Sequence, residues 1–322
     1  MLPIGKNRGG IIMLKIFKTF GGYLEIDHAE KNCWINVLQP SAVEIARLHE
    51  EFNVPQEIIQ DILDVDERPR VEFDDDWSLV IFRIPISSPG NGVPFYTVPF
   101  GVFMTDHLTV TLCSAENEVL MFDQTSIYRE KEQNMNDALN FILKLFLRSA
   151  TTYLRYLKQI NQQTALIEAD LEDSIKNKEL NKLLKMEKCL VYFITSLKGN
   201  ETILAKLRSS KRATLSEINE DLLEDAFIEN KQALDMAQIY SNIQSGMMDT
   251  FASVISNNLN VVMKQLASIS IILMIPTLVA SLYGMNVPNF MEQSKWSFPA
   301  VLGISGILAV IGVILFRKKK WF

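Results

Sequence analysis

Residues 265–283 read QLASISIILMIPTLVASLY, nineteen positions from Gln265 to Tyr283 without an Asp, Glu, Lys or Arg. The run stops at Gly284-Met285-Asn286. A second uncharged run, FPAVLGISGILAVIGVILF, fills Phe298 to Phe316. At about 1.5 Å per residue, each can cross a hydrocarbon layer of about 30 Å as a helix. Arg317-Lys318-Lys319-Lys320 follows the second run directly, while the intervening loop, Val287 to Ser297, carries Glu292 and Lys295. Basic residues flanking a span stay on the cytoplasmic side, so the tail is expected there. With two spans the long N-terminal part is cytoplasmic as well. The expectation is a multi-pass protein of the plasma membrane, an anchor or a pore in the lipid bilayer.

The chain has 322 residues and a formal net charge of −6. That balance excludes nucleic acid as a partner, because phosphate binding requires a basic face. Cys33, Cys113 and Cys189 are odd in number and far apart. They form neither a disulfide framework nor a zinc cluster and suit a reducing compartment. The short apolar run Ile11-Ile12-Met13-Leu14 is followed by Lys15 and Lys18, so no signal peptide is expected. Met13 is a candidate natural start behind a disordered lead.

Working back from the spans, residues 14–38 alternate in short runs that predict two or three strands. Ser41 is placed to cap a helix from Ala42, with Glu44 as its capping-box partner. Pro55 opens a further helix, PQEIIQDIL, and Arg68-Pro69-Arg70 breaks it. Strands are expected at Val71–Phe73, Trp77–Pro85, Phe95–Met104 and His107–Cys113, with a turn over Ser87–Gly92. Together these make a small α+β domain with helices on its sheet. From Asn136 the pattern becomes helical, with a break near Ser209-Ser210 and resumption near Ser216. The first strong stop after that is Pro276, so one helix is expected to run from the cytoplasm into the membrane, roughly 90 Å from Asp225 to Gly284. The boundaries follow: an N-terminal α/β cytoplasmic domain over 1–135, helical arms over 136–215, stalk helix and first span over 216–286, an extracytoplasmic loop at 287–297, the second span at 298–316 and a basic tail at 317–322.

Asn260, Met263, Ala267, Ser270, Met274, Thr277, Ser281 and Gly284 recur at steps of three or four along the first span. This stripe is small, polar or thioether in character. Two readings are open: a helix–helix contact of the kind small residues make in membranes, or a pore lining. One span per chain cannot enclose a pore, so the second reading requires a homo-oligomer built around this helix. Neither span contains a carboxylate. A cation path would use amide, hydroxyl and backbone oxygens, which suit hard ions such as Mg2+.

Tyr283-Gly284-Met285-Asn286 at the end of the first of two C-terminal spans, with the tail Lys318-Lys319-Lys320-Trp321, resembles the CorA family of magnesium transport proteins. The segment Asp61-Ile62-Leu63 running into Glu67-Arg68-Pro69-Arg70-Val71-Glu72 is similar to the family's segment at the edge of the cytoplasmic domain. The resemblance implies a funnel-shaped homopentamer with an α/β/α sandwich as its cytoplasmic domain. It implies a selectivity filter at Gly284, Met285 and Asn286, with Asn286 binding the ion's hydration shell. Asn260, Met263, Leu266, Met274 and Thr277 match its pore-lining positions, with Met263 and Leu266 at a hydrophobic gate. Leu266 lies off the stripe, so a bent or twisted helix is expected to bring it in. The resemblance also implies a regulatory Mg2+ site between neighbouring subunits, with Asp61 from one and Asp225 from the next. Two departures are visible: Gln60 stands where a second acid is common, and Val287-Pro288-Asn289-Phe290-Met291-Glu292 replaces the usual outer loop.

The expected function is channel-like uptake of Mg2+, and of Co2+ or Ni2+, down the electrochemical gradient, with no organic cofactor and no enzymatic activity. The alternatives are a zinc transporter of the same superfamily and a membrane-anchored helical scaffold. His28, His49 and His107 lack metal-ligand spacing, and Asp74-Asp75-Asp76 reads as a charged turn.

Overall fold

The computed structural model describes residues 14–18, 25–88, 90, 92–120, 138–173, 177–209, 219–285 and 295–319. Two compact units divide the chain, Met1–Ser245 and Gly246–Phe322.

The first unit is organised by strands β1 (Leu14–Phe17), β2 (Glu25–Ile26), β3 (Cys33–Leu38), β4 (Arg70–Phe73), β5 (Ser78–Ser87), β6 (Phe95–Met104) and β7 (Leu108–Cys113). They form one sheet in the order β2-β1-β3-β7-β6-β5-β4. β3 and β7 pair in parallel, and the other neighbours are antiparallel. β5 shows why the sheet is covered twice. Leu79 and Ile81 enter one buried cluster, and Val80, Phe82, Ile84 and Ile86 enter another. Successive side chains of a strand point to opposite faces, so a strand apolar at nearly every position needs a layer on each side.

Helices α1 (Ala42–Glu50) and α2 (Gln56–Leu63) supply the first layer through Leu48, Ile58, Ile59 and Ile62. The second comes from α3 (Ala138–Asp173), α4 (Asn177–Ser209) and the opening turns of α5 (Glu220–Tyr283), through Phe141, Phe146, Leu204, Leu207, Leu223 and Ala226. The expected α/β/α sandwich is therefore present. Ser41 Oγ accepts from Glu44 N at 3.3 Å, and Glu44 Oε2 accepts from Ser41 N at 2.8 Å, so the capping box forms as read. α4 is described to Ser209, and the expected break at Ser209-Ser210 runs into residues 210–218, which lie outside the described residues. Ser216, Met13 and residues 89 and 91 of the 87–92 turn lie outside the described residues.

The second unit holds the rest of α5 and α6 (Ser297–Lys318). Both are candidate membrane spans, with mean hydropathy 2.0 and 2.5 over their most apolar stretches. Those stretches are 6% and 0% buried, which excludes the core helices of a soluble domain. Ser268 is fully buried, and Gln265, Ile272, Ile275 and Val279 are half-buried on the same side of α5. On α6, Ser305 and Gly312 are the buried positions. A Cβ on Gly312 would lie 3.4 Å from Ile275 Cδ1 and 3.6 Å from Ile272 Cγ1. The two helices thus meet through small residues, as helices in lipid do. Pro276 lies inside α5 without ending it. It provides no N–H for the preceding turn, and the next hydroxyl adds a bond there, Thr277 Oγ1 donating to Leu273 O at 3.0 Å.

Candidate functional site

The membrane stripe is the first candidate. Asn260, Met263, Leu266, Ala267, Ser270, Met274, Thr277 and Ser281 are all exposed. At about 100° per residue, their mean direction is roughly half a turn from the more buried side of Ser268, Ile272, Ile275 and Val279, on which Ile272 and Ile275 meet Gly312 of α6. The stripe is therefore not the contact between the two spans of one chain. Leu266 is one turn from both Met263 and Ser270, so it borders the stripe on a regular helix and no bend is needed.

The hydroxyls on the stripe are already partly engaged. Ser270 Oγ donates to Leu266 O at 2.9 Å, and Thr277 Oγ1 donates to Leu273 O. A hydroxyl whose proton is used this way presents its lone pairs outward. Such an oxygen accepts from water, and the water around a cation directs its protons outward. Gly284 and Met285 close the helix, Gly284 N donating to Ala280 O at 2.9 Å. Asn286, the last residue of the expected filter triplet, lies outside the described residues, as do 287–294 and 320–322. Arg317 and Val313 line one groove with Ile269, Ile272 and Leu273, so the first basic residue of the tail stands beside the start of the first span. Tyr283 and Trp296 mark the other end of the pair, as aromatic residues do at a membrane interface.

The second candidate is the acidic edge of the first unit. Asp61 is on the exposed side of α2, held there because Ile62 beside it is pressed against β6. A Cβ on Gly101 would come 2.2 Å from Ile62 Cδ1, so glycine is what admits the helix this close. Asp61 is not free: its Oδ2 accepts from Arg70 Nη2 at 2.6 Å. Arg70 opens β4, the sheet edge, and reaches two further carboxylates. Nε donates to Glu72 Oε1 at 2.5 Å, and Nη1 pairs with Glu67. Burial would lower the Arg70 pKa, but Asp61, Glu72 and Glu67 outweigh it and hold the guanidinium protonated.

The loop that carries Glu67 is itself anchored. Arg83, from the middle of β5, donates from Nη1 to Val65 O at 2.9 Å and Glu67 O at 2.7 Å, and from Nη2 to Thr97 O at 2.8 Å. Burial pulls the Arg83 pKa below its ordinary value. Asn200 of α4 holds the same residue's backbone at both ends, Oδ1 to Arg83 N and Nδ2 to Arg83 O. Pro69 is seated on α4 where a Cβ on Gly199 would lie 2.6 Å from its Cγ. Asp61 thus stands on a fixed scaffold. Arg70 was quoted in the sequence only within the segment Glu67–Glu72 and given no role of its own, and Arg83 was not picked out, although a lone charge inside the apolar run SLVIFRIPIS was a visible signal for it.

Asp225 is exposed on α5, on the far side from Leu223 and Ala226, which enter the core. Asp61 and Asp225 belong to different elements of the first unit. Among the described residues no three His, Cys, Asp or Glu side chains gather in a way that could hold a metal ion. The three carboxylates around Arg70 surround the guanidinium rather than converging on a point.

The description of the family model that matches is a CorA-like Mg2+ transporter protein, and the match spans residues 29–318. The chain is 28% identical to the cobalt/magnesium transport protein CorA of Thermotoga maritima, with 89% of this chain and 83% of that one covered. It is 25% identical to the protein of the same name from Methanocaldococcus jannaschii, over 89% of this chain and 90% of that one. The complete structure of the M. jannaschii CorA magnesium transporter superposes with a TM-score of 0.80 at 23% identity, covering 98% of this chain and all of that one. The ZntB cytoplasmic domain from Vibrio parahaemolyticus shares the fold more distantly, with a TM-score of 0.57 at 14% identity over 78% of this chain and all of that one.

Proposed function

The chain belongs to the CorA-like Mg2+ transporter family, and from that premise we propose that it is a channel for Mg2+, passing Co2+ and Ni2+ as well, in the plasma membrane. The observation that carries this reading is the exposed stripe from Asn260 to Ser281, which lies opposite the intrachain contact and ends at Gly284-Met285. A helix that served as an anchor alone would have no need to hold amide, hydroxyl and thioether groups on a face its own partner helix does not cover. Copies of the chain arranged around that face, five as the resemblance implies, enclose a path lined by it. Asn286 at its mouth would accept water protons from a hydrated ion. An amide is neutral, so it holds a divalent ion lightly enough to release it.

The driving force is the membrane potential, about 4.6 kcal/mol per 100 mV for a divalent ion at about 2.3 per charge. Both chain ends are cytoplasmic in this reading, because Arg317 to Lys319 flank the second span. A regulatory Mg2+ would be held by Asp61 of one subunit and Asp225 of the next. The residues fit such an ion in its usual mode, one or two carboxylates with the remaining positions left to water. Asp61 Oδ1 accepts no hydrogen bond among the described residues, and Asp225 is exposed. The bound ion supplies positive charge between two negative edges. Without it the carboxylates repel and the subunits part, and the gate at Met263 and Leu266 is released.

The test is Asn286→Ala in a strain without other Mg2+ importers. Growth at low Mg2+ should be lost while the variant still reaches the membrane, and full rescue would refute the filter assignment.

A further inference from the structure

Three carboxylates share one guanidinium at the edge of the first unit, and one of the three is the residue assigned above to the regulatory ion. We propose that Arg70 is a tethered counter-cation for Asp61 that sets the Mg2+ concentration at which the intersubunit site fills. This rests on the sensor reading of Asp61 and goes beyond it.

Arg70 Nη2 lies 2.6 Å from Asp61 Oδ2, so a positive charge already occupies one oxygen of the proposed ligand. A divalent ion approaching Asp61 meets that charge at close range and binds a carboxylate whose field is partly cancelled. Asp61 is 43% exposed at its side chain, so solvent and ions reach it, and the competition is between two cations for one accessible group. Opening the Asp61 contact leaves the guanidinium charge paired. Glu67 and Glu72 remain on the same guanidinium, through Nη1 and Nε. An arginine with a single acid partner would lose its only pairing on release and would resist it. Here the fork stays doubly paired, so the Asp61 contact is the one that can open.

The surroundings limit what else moves. Arg83 fixes the carbonyls of Val65 and Glu67, and Pro69 is wedged on Gly199. The loop backbone and the guanidinium are therefore held while the Asp61 carboxylate leaves Nη2. Arg68, two residues away, is exposed and makes no ion pair among the described residues. It carries the same charge without the contact, which makes it the control.

The experiment is limited proteolysis of the full-length chain in detergent, titrated with MgCl2, with the midpoint of protection as readout. Arg70→Gln should move the midpoint to lower Mg2+ by about twofold to fivefold, the range an exposed ion pair spans. Arg70→Lys, which keeps the charge but not the fork, should move it the same way by less. Arg68→Gln should leave it unchanged. A shift with Arg68→Gln equal to that of Arg70→Gln would mean bulk charge alone, and the counter-cation would be refuted. An unchanged or raised midpoint in both Arg70 variants would refute it as well. Asp61→Asn separates the two levels. If Mg2+ protects that variant as it does the parent, the sensor reading itself fails. If protection is lost there while the Arg70 variants stay at the parental midpoint, the sensor stands and the counter-cation falls.

Discussion

Arg83 shows how one side chain in an otherwise apolar strand can fix a distant loop. Its guanidinium joins β5 to the carbonyls of Val65 and Glu67 and to β6 at Thr97, a set of contacts spread over three segments. Arg83→Met should lower the thermal midpoint of the protein, at about 1–3 kcal/mol for each carbonyl left without a partner, offset in part by removing a desolvated charge. Arg83→Lys should not restore it, because a single ammonium cannot span the set. The cysteines give a second residue-scale expectation. Burial pushes the Cys113 and Cys189 thiols up to about 11 and raises Cys33 as well. A folded-state pKa above the unfolded one means the contribution to stability is complete below the ordinary thiol range and is lost as pH rises through about 11. Iodoacetamide at neutral pH should label none of the three in the native protein and all three in denaturant, and the thermal midpoint should fall on going from pH 9 towards 11. At this scale the sequence was legible where partners are near in the chain. Ser41 and Glu44 are three residues apart, and their cap is present. The Arg70–Asp61 pair joins a helix to a strand across nine positions, and a spacing of that kind carries no periodic signal.

At the scale of elements, α2 and α5 each carry the face proposed to function opposite a packed one. For α2 the packed face meets β6 at Gly101. Gly101→Ala should destabilise the first unit by about 1–3 kcal/mol through overpacking against Ile62, read as a lower thermal midpoint. The same change in an Ile62→Ala background should cost little, since the colliding atoms are gone. On α5 the two faces differ in what they meet. Cysteines placed at Ala267, Ser270 or Ser281 should react with a hydrophilic methanethiosulfonate in the assembled protein, whereas cysteines at Ser268, Ile272 or Ile275 should not. The native cysteines are buried and leave the background clean. The length of α5 was legible because no stop separates Glu220 from Pro276, and the strands β4 to β7 because turn residues bracket apolar runs. Which side of α5 would meet the second span was not. Ser268 and Ala267 are equally small, and a stripe of small residues does not say which neighbour it is for.

For the whole molecule, the proposed membrane path and the proposed acidic site between subunits both require repeated copies of one chain. An α+β domain with helices on its sheet was legible from the strand and helix runs, the α/β/α sandwich only through the family resemblance, and the two spans from their length and the basic residue at Arg317. The proposed site between copies rested on the resemblance alone, because an acid such as Asp225 that would be completed by another copy looks like any exposed acid within its own. The mass of the protein in detergent should correspond to five chains; a monomer or dimer would favour an anchored scaffold. The most direct measurement is Mg2+ flux into liposomes that contain the purified chain, followed with an internal Mg2+-sensitive dye under an imposed inside-negative potential. The account predicts flux without ATP that rises with the potential and is blocked when a Ser270→Cys variant is modified by methanethiosulfonate. Flux that requires ATP, or that is unchanged after Ser270→Cys has been fully modified, would contradict it.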